Sequence, residues 1–112
     1  MKTPRLNRKL VLEAPQRTED GAGGYVETWQ ALGTVWAQVT ARAGREIAQS
    51  GAPVSAMGCK IVVRGAPFGD AQRPRPDQRF REGERVFVIQ AVAESDANGR
   101  YITCFATEES TV

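Results

Sequence analysis

The segment 34–40, Thr-Val-Trp-Ala-Gln-Val-Thr, constrains the fold more than any other part of this sequence. It predicts a strand with apolar side chains on both faces, because successive strand residues point in opposite directions. Val35, Ala37 and Val39 share one face and Trp36 lies on the other. A small antiparallel sheet usually keeps one face in water. Either a neighbouring subunit covers Trp36, or Trp36 fills the core of a sandwich or barrel and the small residues lie outside.

The length of 112 residues predicts a single domain over residues 1–112, with flexible tails at 1–6 and 108–112. The net charge of +2 is too small for a tight nucleic-acid binder. No apolar stretch approaches the roughly 20 residues of a membrane span, so we expect a cytosolic chain. Cys59 and Cys104 are therefore expected to be reduced thiols. Two cysteines without histidine make a structural zinc site improbable.

The pattern of short apolar runs and turn residues predicts a mainly β fold, a small antiparallel β-barrel or sandwich of five to six strands. Strands are expected at 7–13, 25–29, 34–41, 58–64, 85–93 and 100–107. Pro15 should end the first strand, and Leu32-Gly33 predicts a bend or bulge. One short helix is expected at 45–49, and two long loops at 44–57 and 65–84. Asn98-Gly99 predicts a hairpin turn.

No catalytic constellation is visible, and we predict that the chain is not an enzyme and binds no cofactor. The absence of histidine excludes the familiar Ser–His and Cys–His pairs. The paired carboxylates at 19–20 and 108–109 fall in solvated segments, where nothing would shift their pKa values. The glycines at 21, 23 and 24 lack the Lys-Ser/Thr of a phosphate loop.

The segment 73–85 is rich in arginine, with Arg73, Arg75, Arg79, Arg81 and Arg85 interrupted by Asp77, Glu82 and Glu84. One interpretation is a solvated loop with local ion pairs, each worth roughly 0–1 kcal/mol. The other is a lumen or docking loop, in which Arg73, Arg75, Arg79 and Arg81 face phosphates or an acidic partner. Repeated around a ring, a mild excess of charge per subunit would sum to a substantial field.

Taken in order, the motifs resemble the head-tail joining, or head-closure, proteins of long-tailed phages and of phage-derived gene transfer agents. The resemblance covers about residues 6–109. It rests on Arg8-Lys9-Leu10-Val11-Leu12, Asp20-Gly21 with Gly24, Trp29, Val35-Trp36-Ala37-Gln38-Val39, Gly44-Arg45-Glu46, Phe87-Val88-Ile89 and Arg100-Tyr101-Ile102-Thr103-Cys104.

The resemblance implies a β-barrel subunit of a homo-oligomeric ring, expected as a hexamer, at the head–tail junction of a virion or phage-like particle assembled in the bacterial cytoplasm. Its partners would be the portal-bound adaptor ring on the head side, the tail terminator on the tail side, and double-stranded DNA passing without sequence specificity; no membrane is involved. Trp29, Trp36 and Phe87 would be interface or core anchors.

In relatives the loop after the Trp-Ala strand reaches toward the channel, which corresponds here to 44–57. The candidate gating residues are Gly44, Arg45, Glu46, Ile47, Gln49, Ser50 and Pro53. The long segment 65–84 departs from the compact turn of relatives, and Arg79-Phe80 only approximates their Arg-Tyr pair, so either loop could narrow the channel. Two alternatives remain: a tail terminator-like ring, and an oligonucleotide-binding β-barrel, which would need exposed aromatics on a basic groove.

Overall fold

Six antiparallel strands close into a barrel in the computed structural model, which describes residues 3–42, 57–96 and 98–109. The strands are β1 (Arg8–Glu19), β2 (Tyr25–Ala41), β3 (Met57–Arg64), β4 (Arg79–Glu82), β5 (Arg85–Glu94) and β6 (Tyr101–Glu109). Their order around the barrel is β1-β2-β3-β6-β5-β4. The predicted fold class is confirmed, while the predicted helix at 45–49 lies outside the described residues. No helix within those ranges is long and apolar enough to cross a membrane.

Alternate residues of every strand form a single core, as the period of two along a strand requires. Phe80 of β4 and Phe87 of β5 are paired across the ladder and are both fully buried. The core is completed by Leu10, Leu12, Ala37, Cys59, Ile61, Val63, Ile89, Ile102, Cys104 and Ala106. Burying each large apolar side chain contributes about 1.5–3 kcal/mol, so this cluster is the main source of stability.

β1 and β2 extend beyond the barrel as a two-stranded hairpin, which we call the hairpin arm (residues 14–30). The prediction that Pro15 ends the first strand is wrong, since β1 continues to Glu19. β4 pairs with β1 only at residues 11–13. Among the described residues, Pro15 therefore has β2 as its only neighbouring strand, and proline is tolerated at such an edge. Nearly all side chains of the arm are exposed.

The predicted bulge at Gly33 is confirmed, but it lies within one continuous strand rather than between two. The register of β1 against β2 shifts between Leu12 and Glu13, whose partners are Gly33 and Ala31. Gly33 has a φ of 152°, in the region that favours glycine. The bulge thus marks the point where the hairpin arm leaves the barrel.

Two further boundaries differ from the prediction. The segment 65–84 is not one loop, because its last part forms β4 and supplies Phe80 to the core. The predicted tail at 108–112 is wrong at its first two residues, since Glu108 pairs with Phe87 and Glu109 with Val86. The predicted Asn98-Gly99 turn joins β5 to β6, with Gly99 at a φ of 65°.

Candidate assembly surfaces

In β2, the segment 34–40 places its indole on the outside of the barrel. Trp36 is 55% exposed, whereas Ala37 is fully buried. Val35 and Val39 pack against the core from the same face as Ala37. The interpretation in which Trp36 fills the core is therefore wrong, and a large apolar side chain stands on the outer surface.

Trp36 shares the outer surface of β1, β2 and β3 and the segment before β1 with four cations, and we call this surface the basic face (Arg5, Lys9, Trp36, Lys60 and Arg64). Lys9 pairs with Trp36, and Lys60 pairs with Thr40, which shares the outer side of β2 with the indole. All four cations are exposed. Within the ranges that the structure describes, no carboxylate lies within 4.0 Å of their charged nitrogens. Sequence reasoning missed this surface because its members are far apart along the chain.

A groove of about 690 Å³ opens beside the basic face, on the outer side of β2, β3 and β6. Val62 and Thr103, which are paired across β3 and β6, line it and are nearly fully buried. Its remaining lining residues are Thr3, Pro4, Arg5, Gln38, Lys60, Ser95 and Tyr101. The backbone N–H of Arg5 donates to Gln38 Oε1 at 2.7 Å, which fixes one wall. The groove combines apolar depth with cations at its rim.

The arginines singled out in the sequence mostly hold carboxylates of their own chain. Arg79 Nε and Arg81 Nε donate to the two oxygens of Glu13, at 2.7 and 3.0 Å. Glu13 is only 5% exposed. Burial opposes its ionisation, but the hydrogen bonds and charges of the two arginines outweigh burial and hold the pKa of this carboxyl below its usual value. These contacts join β1 to β4 where the barrel closes.

A second charge cluster occupies one end of the barrel. Arg85 donates to both oxygens of Glu108, at 2.7 and 3.0 Å, and Arg8 donates to Glu82. These hydrogen bonds lower the pKa values of both carboxyls, so the prediction that nothing shifts the pKa at 108–109 is wrong at Glu108, which lies in β6 and not in a tail. The four side chains connect β1, β4, β5 and β6, so they stabilise barrel closure.

Arg73 stabilises the segment between β3 and β4. Its guanidinium donates to the Ala66 carbonyl at 2.7 Å, lies 3.9 Å from Glu94 and stacks 3.8 Å from the centre of the Phe68 ring. Phe68 itself is 81% exposed. Arg75 is exposed as well. A lumenal role for the arginine series stays a prediction.

The other predicted anchors lie in different surroundings. Phe87 is in the core. Trp29 is half-buried in the hairpin arm, paired with Pro15, and the Arg79 guanidinium lies 4.0 Å from the centre of its ring. The candidate gating residues at 44–53 lie outside the described residues. Of the three predicted anchors, Phe87 therefore lies in the core, Trp29 lies at the base of the hairpin arm and Trp36 lies on the exposed outer surface.

The two cysteine side chains are buried. Burial raises the pKa of the Cys104 thiol to about 12, and burial together with nearby Glu108 raises that of Cys59. A thiolate is the reactive form of cysteine, so neither position suits nucleophilic chemistry.

A closed barrel with an exposed indole, a basic face and a projecting arm is the architecture of an assembly module. The family model for the phage head completion protein matches residues 1–109, and the chain belongs to that family. The family match therefore places the chain among head completion proteins of phage-like virions.

The solved structures that resemble the chain include two of full length. A chain in the virion of a native gene transfer agent particle is 55% identical, with a TM-score of 0.85, covering 98% of this chain and 100% of that one. A solution structure of a protein from Shigella flexneri 2a is 22% identical, with a TM-score of 0.70 and full coverage of both chains, and supports the fold alone. No match was found among curated proteins.

Proposed function

We propose that this protein forms a homo-oligomeric ring that joins the portal–adaptor complex of the head to the tail and lines the channel through which DNA passes. The observation that carries the proposal is the 55% identity, over nearly the full length, to a chain of a gene transfer agent virion. The family match over residues 1–109 supports a role in completing the head.

The outer surface of the barrel supports ring formation. Trp36 is 55% exposed, and tryptophan and arginine are enriched at protein interfaces. The hairpin arm adds Tyr25 and Val26, which are 65% and 50% exposed. A ring covers such surfaces through repeated head-to-tail contacts between identical subunits. We propose that six copies form the ring and that the segment 44–57 gates its channel.

Head completion in extracts of the producing cells tests the proposal. Particles made without this chain should accumulate as filled heads that lack tails, and addition of the purified protein should restore tail joining. The Trp36→Ala variant should restore it poorly, whereas Phe68→Ala, which removes an exposed aromatic ring outside the basic face and the groove, serves as a matched control. Normal tailed particles in the absence of the chain would contradict the proposal.

A pull-down separates head closure from tail termination. The purified chain should bind the adaptor-bearing head complex before it binds the tail tube. Preferential binding to isolated tail tubes would favour the tail terminator alternative. A variant in which residues 44–56 are replaced by a short glycine-serine linker should still join tails but should release DNA from heads that await a tail.

A further inference from the structure

The hairpin arm ends in a tip that its own barrel leaves uncovered. Tyr25 and Val26 are 65% and 50% exposed although both are large and apolar. Beyond the barrel the arm comprises six residue pairs, from Ala14–Gln30 to Glu19–Tyr25. At about 3.3 Å per residue it projects on the order of 20 Å. This is long enough to reach across a boundary between adjacent subunits.

The tip is acidic although the whole chain is basic. Residues 17–27 contain three carboxylates and one guanidinium, Glu19, Asp20, Glu27 and Arg17, which gives a net charge of −2. Asp20 accepts hydrogen bonds from the backbone N–H groups of Ala22 and Gly24, at 2.8 and 3.1 Å. These bonds order the turn and lower the pKa of the Asp20 carboxyl below its ordinary value, so the prediction that nothing there shifts a pKa is wrong at Asp20.

The groove beside the basic face has the complementary character. Lys60 and Arg5 stand at its rim, and Val62 and Tyr101 give it apolar surface. Its volume of about 690 Å³ exceeds that of a single aromatic side chain. A tip with exposed apolar residues and negative charge therefore matches a groove with apolar depth and positive charge.

We propose that the tip of the hairpin arm of one subunit docks into the groove of the next subunit, with Tyr25 inserted and with Glu19 and Glu27, which share its face of the arm, facing Lys60 and Arg5. The inference rests on the proposed ring, and specifies its contact. Arm and groove are different surfaces of the same chain, so the contact is heterologous and repeats around a ring. The opposite charges fix orientation and register more than they add affinity.

Cysteine cross-linking in assembled particles tests this contact. The variant Glu27→Cys with Lys60→Cys, treated with a short bismaleimide, should give a ladder of linked subunits. The native cysteines are buried and should not react. Glu27→Cys with Arg75→Cys is the matched control, because Arg75 is an exposed cation outside the groove, and it should give no ladder. Particles that contain the doubly substituted chain but show no ladder would overturn the inference and leave the proposed function standing. Absence of the wild-type chain from particles would count against the proposed function itself.

Charge reversal gives a second, independent readout. Lys60→Glu or Glu27→Lys alone places like charges together and should lower the number of tailed particles at least about tenfold. The two substitutions combined should restore most of the loss.

A duplex of about 30 base pairs is the competing occupant of the basic face. If Lys60→Glu abolishes binding of the purified chain to that duplex, and Glu27→Lys does not rescue particle assembly, the groove serves nucleic acid and the inference is wrong.

Discussion

Replacing Glu13 by glutamine removes one charge from the seam at which the barrel closes. The ladder between β1 and β4 has only three residue pairs, and Glu13 joins the two strands through Arg79 and Arg81. The amide keeps the shape of the side chain but offers a single acceptor oxygen. Two guanidiniums then share one neutral acceptor, so Glu13→Gln should destabilise the fold without disturbing the packing of the core.

The expected loss follows from the number and exposure of the contacts. A hydrogen bond to a charged group contributes about 1.5–3 kcal/mol. The side chains of Arg79 and Arg81 are 21% and 41% exposed, so water replaces part of each contact. We therefore expect a total loss of about 1.5–3 kcal/mol rather than twice that. For a domain of this size this corresponds to a decrease in Tm of roughly 6–12 °C.

Urea unfolding at several pH values measures this loss. The folded-state pKa of Glu13 lies below its ordinary value of 4.5, so its ionised form stabilises the fold fully above that pH. The contribution disappears as pH falls from 4.5 through the lowered pKa. The difference in free energy of unfolding between wild type and Glu13→Gln should therefore be constant near neutral pH and shrink in acid.

The matched control is Glu19→Gln, which removes an exposed carboxylate from the hairpin arm. It should change stability by no more than about 0.5 kcal/mol. If Glu13→Gln is no more destabilising than this control, or if its effect persists unchanged at pH 3, the ion pair does not hold the seam and the reasoning fails.

Other substitutions and one chemical probe test separate parts of the structure. Phe87→Ala, which empties a fully buried position, should lower the free energy of unfolding by about 3–5 kcal/mol in urea titration. Trp36→Ala should cost less than Phe87→Ala, about 1–2 kcal/mol, because the indole is 55% exposed, while tail joining declines. A thiol-reactive dye should label Cys59 and Cys104 only after unfolding, because both are buried; rapid labelling of the native protein would contradict their placement.

The elements that the sequence predicted well carry strong local signals. Residues 34–40 alternate in the expected way, with Trp36 outward and Ala37 buried. The Asn98-Gly99 turn occurs where predicted, closed by the N–H of Ser95 donating to the Tyr101 carbonyl at 2.9 Å. In both segments the local preference and the tertiary environment agree, which is why a single sequence suffices there.

The segment that forms β4 favours a loop on composition, because three of its four residues are charged. The charged residues Arg79 and Arg81 flank Phe80, which is the period of two expected for a strand with one buried face. A strand of four residues offers only one buried side chain, so its identity depends on the β1 and β5 neighbours that pair with it.

The hairpin arm could not be predicted because proline is a strong local signal against strand. Pro15 is accommodated only because β4 is too short to reach it, a fact of topology that sequence does not reveal. The basic face was missed for a similar reason. Lys9, Lys60 and Arg64 come together only when β1, β2 and β3 pair.

The division of charge within the chain explains why its small net value was a poor guide to its contacts. Arg79, Arg81 and Arg85 hold buried or half-buried carboxylates and act within the barrel. The cations of the basic face lack such partners among the described residues, and the arm tip carries the opposite charge. A subunit that meets its neighbour head to tail needs unlike charges at two separate places, which cancel in the sum. The net charge of +2 is therefore the difference between four positive charges on the basic face and two negative charges on the arm tip, because the remaining cations and carboxylates cancel, and this division of charge is the one that the proposed contact requires.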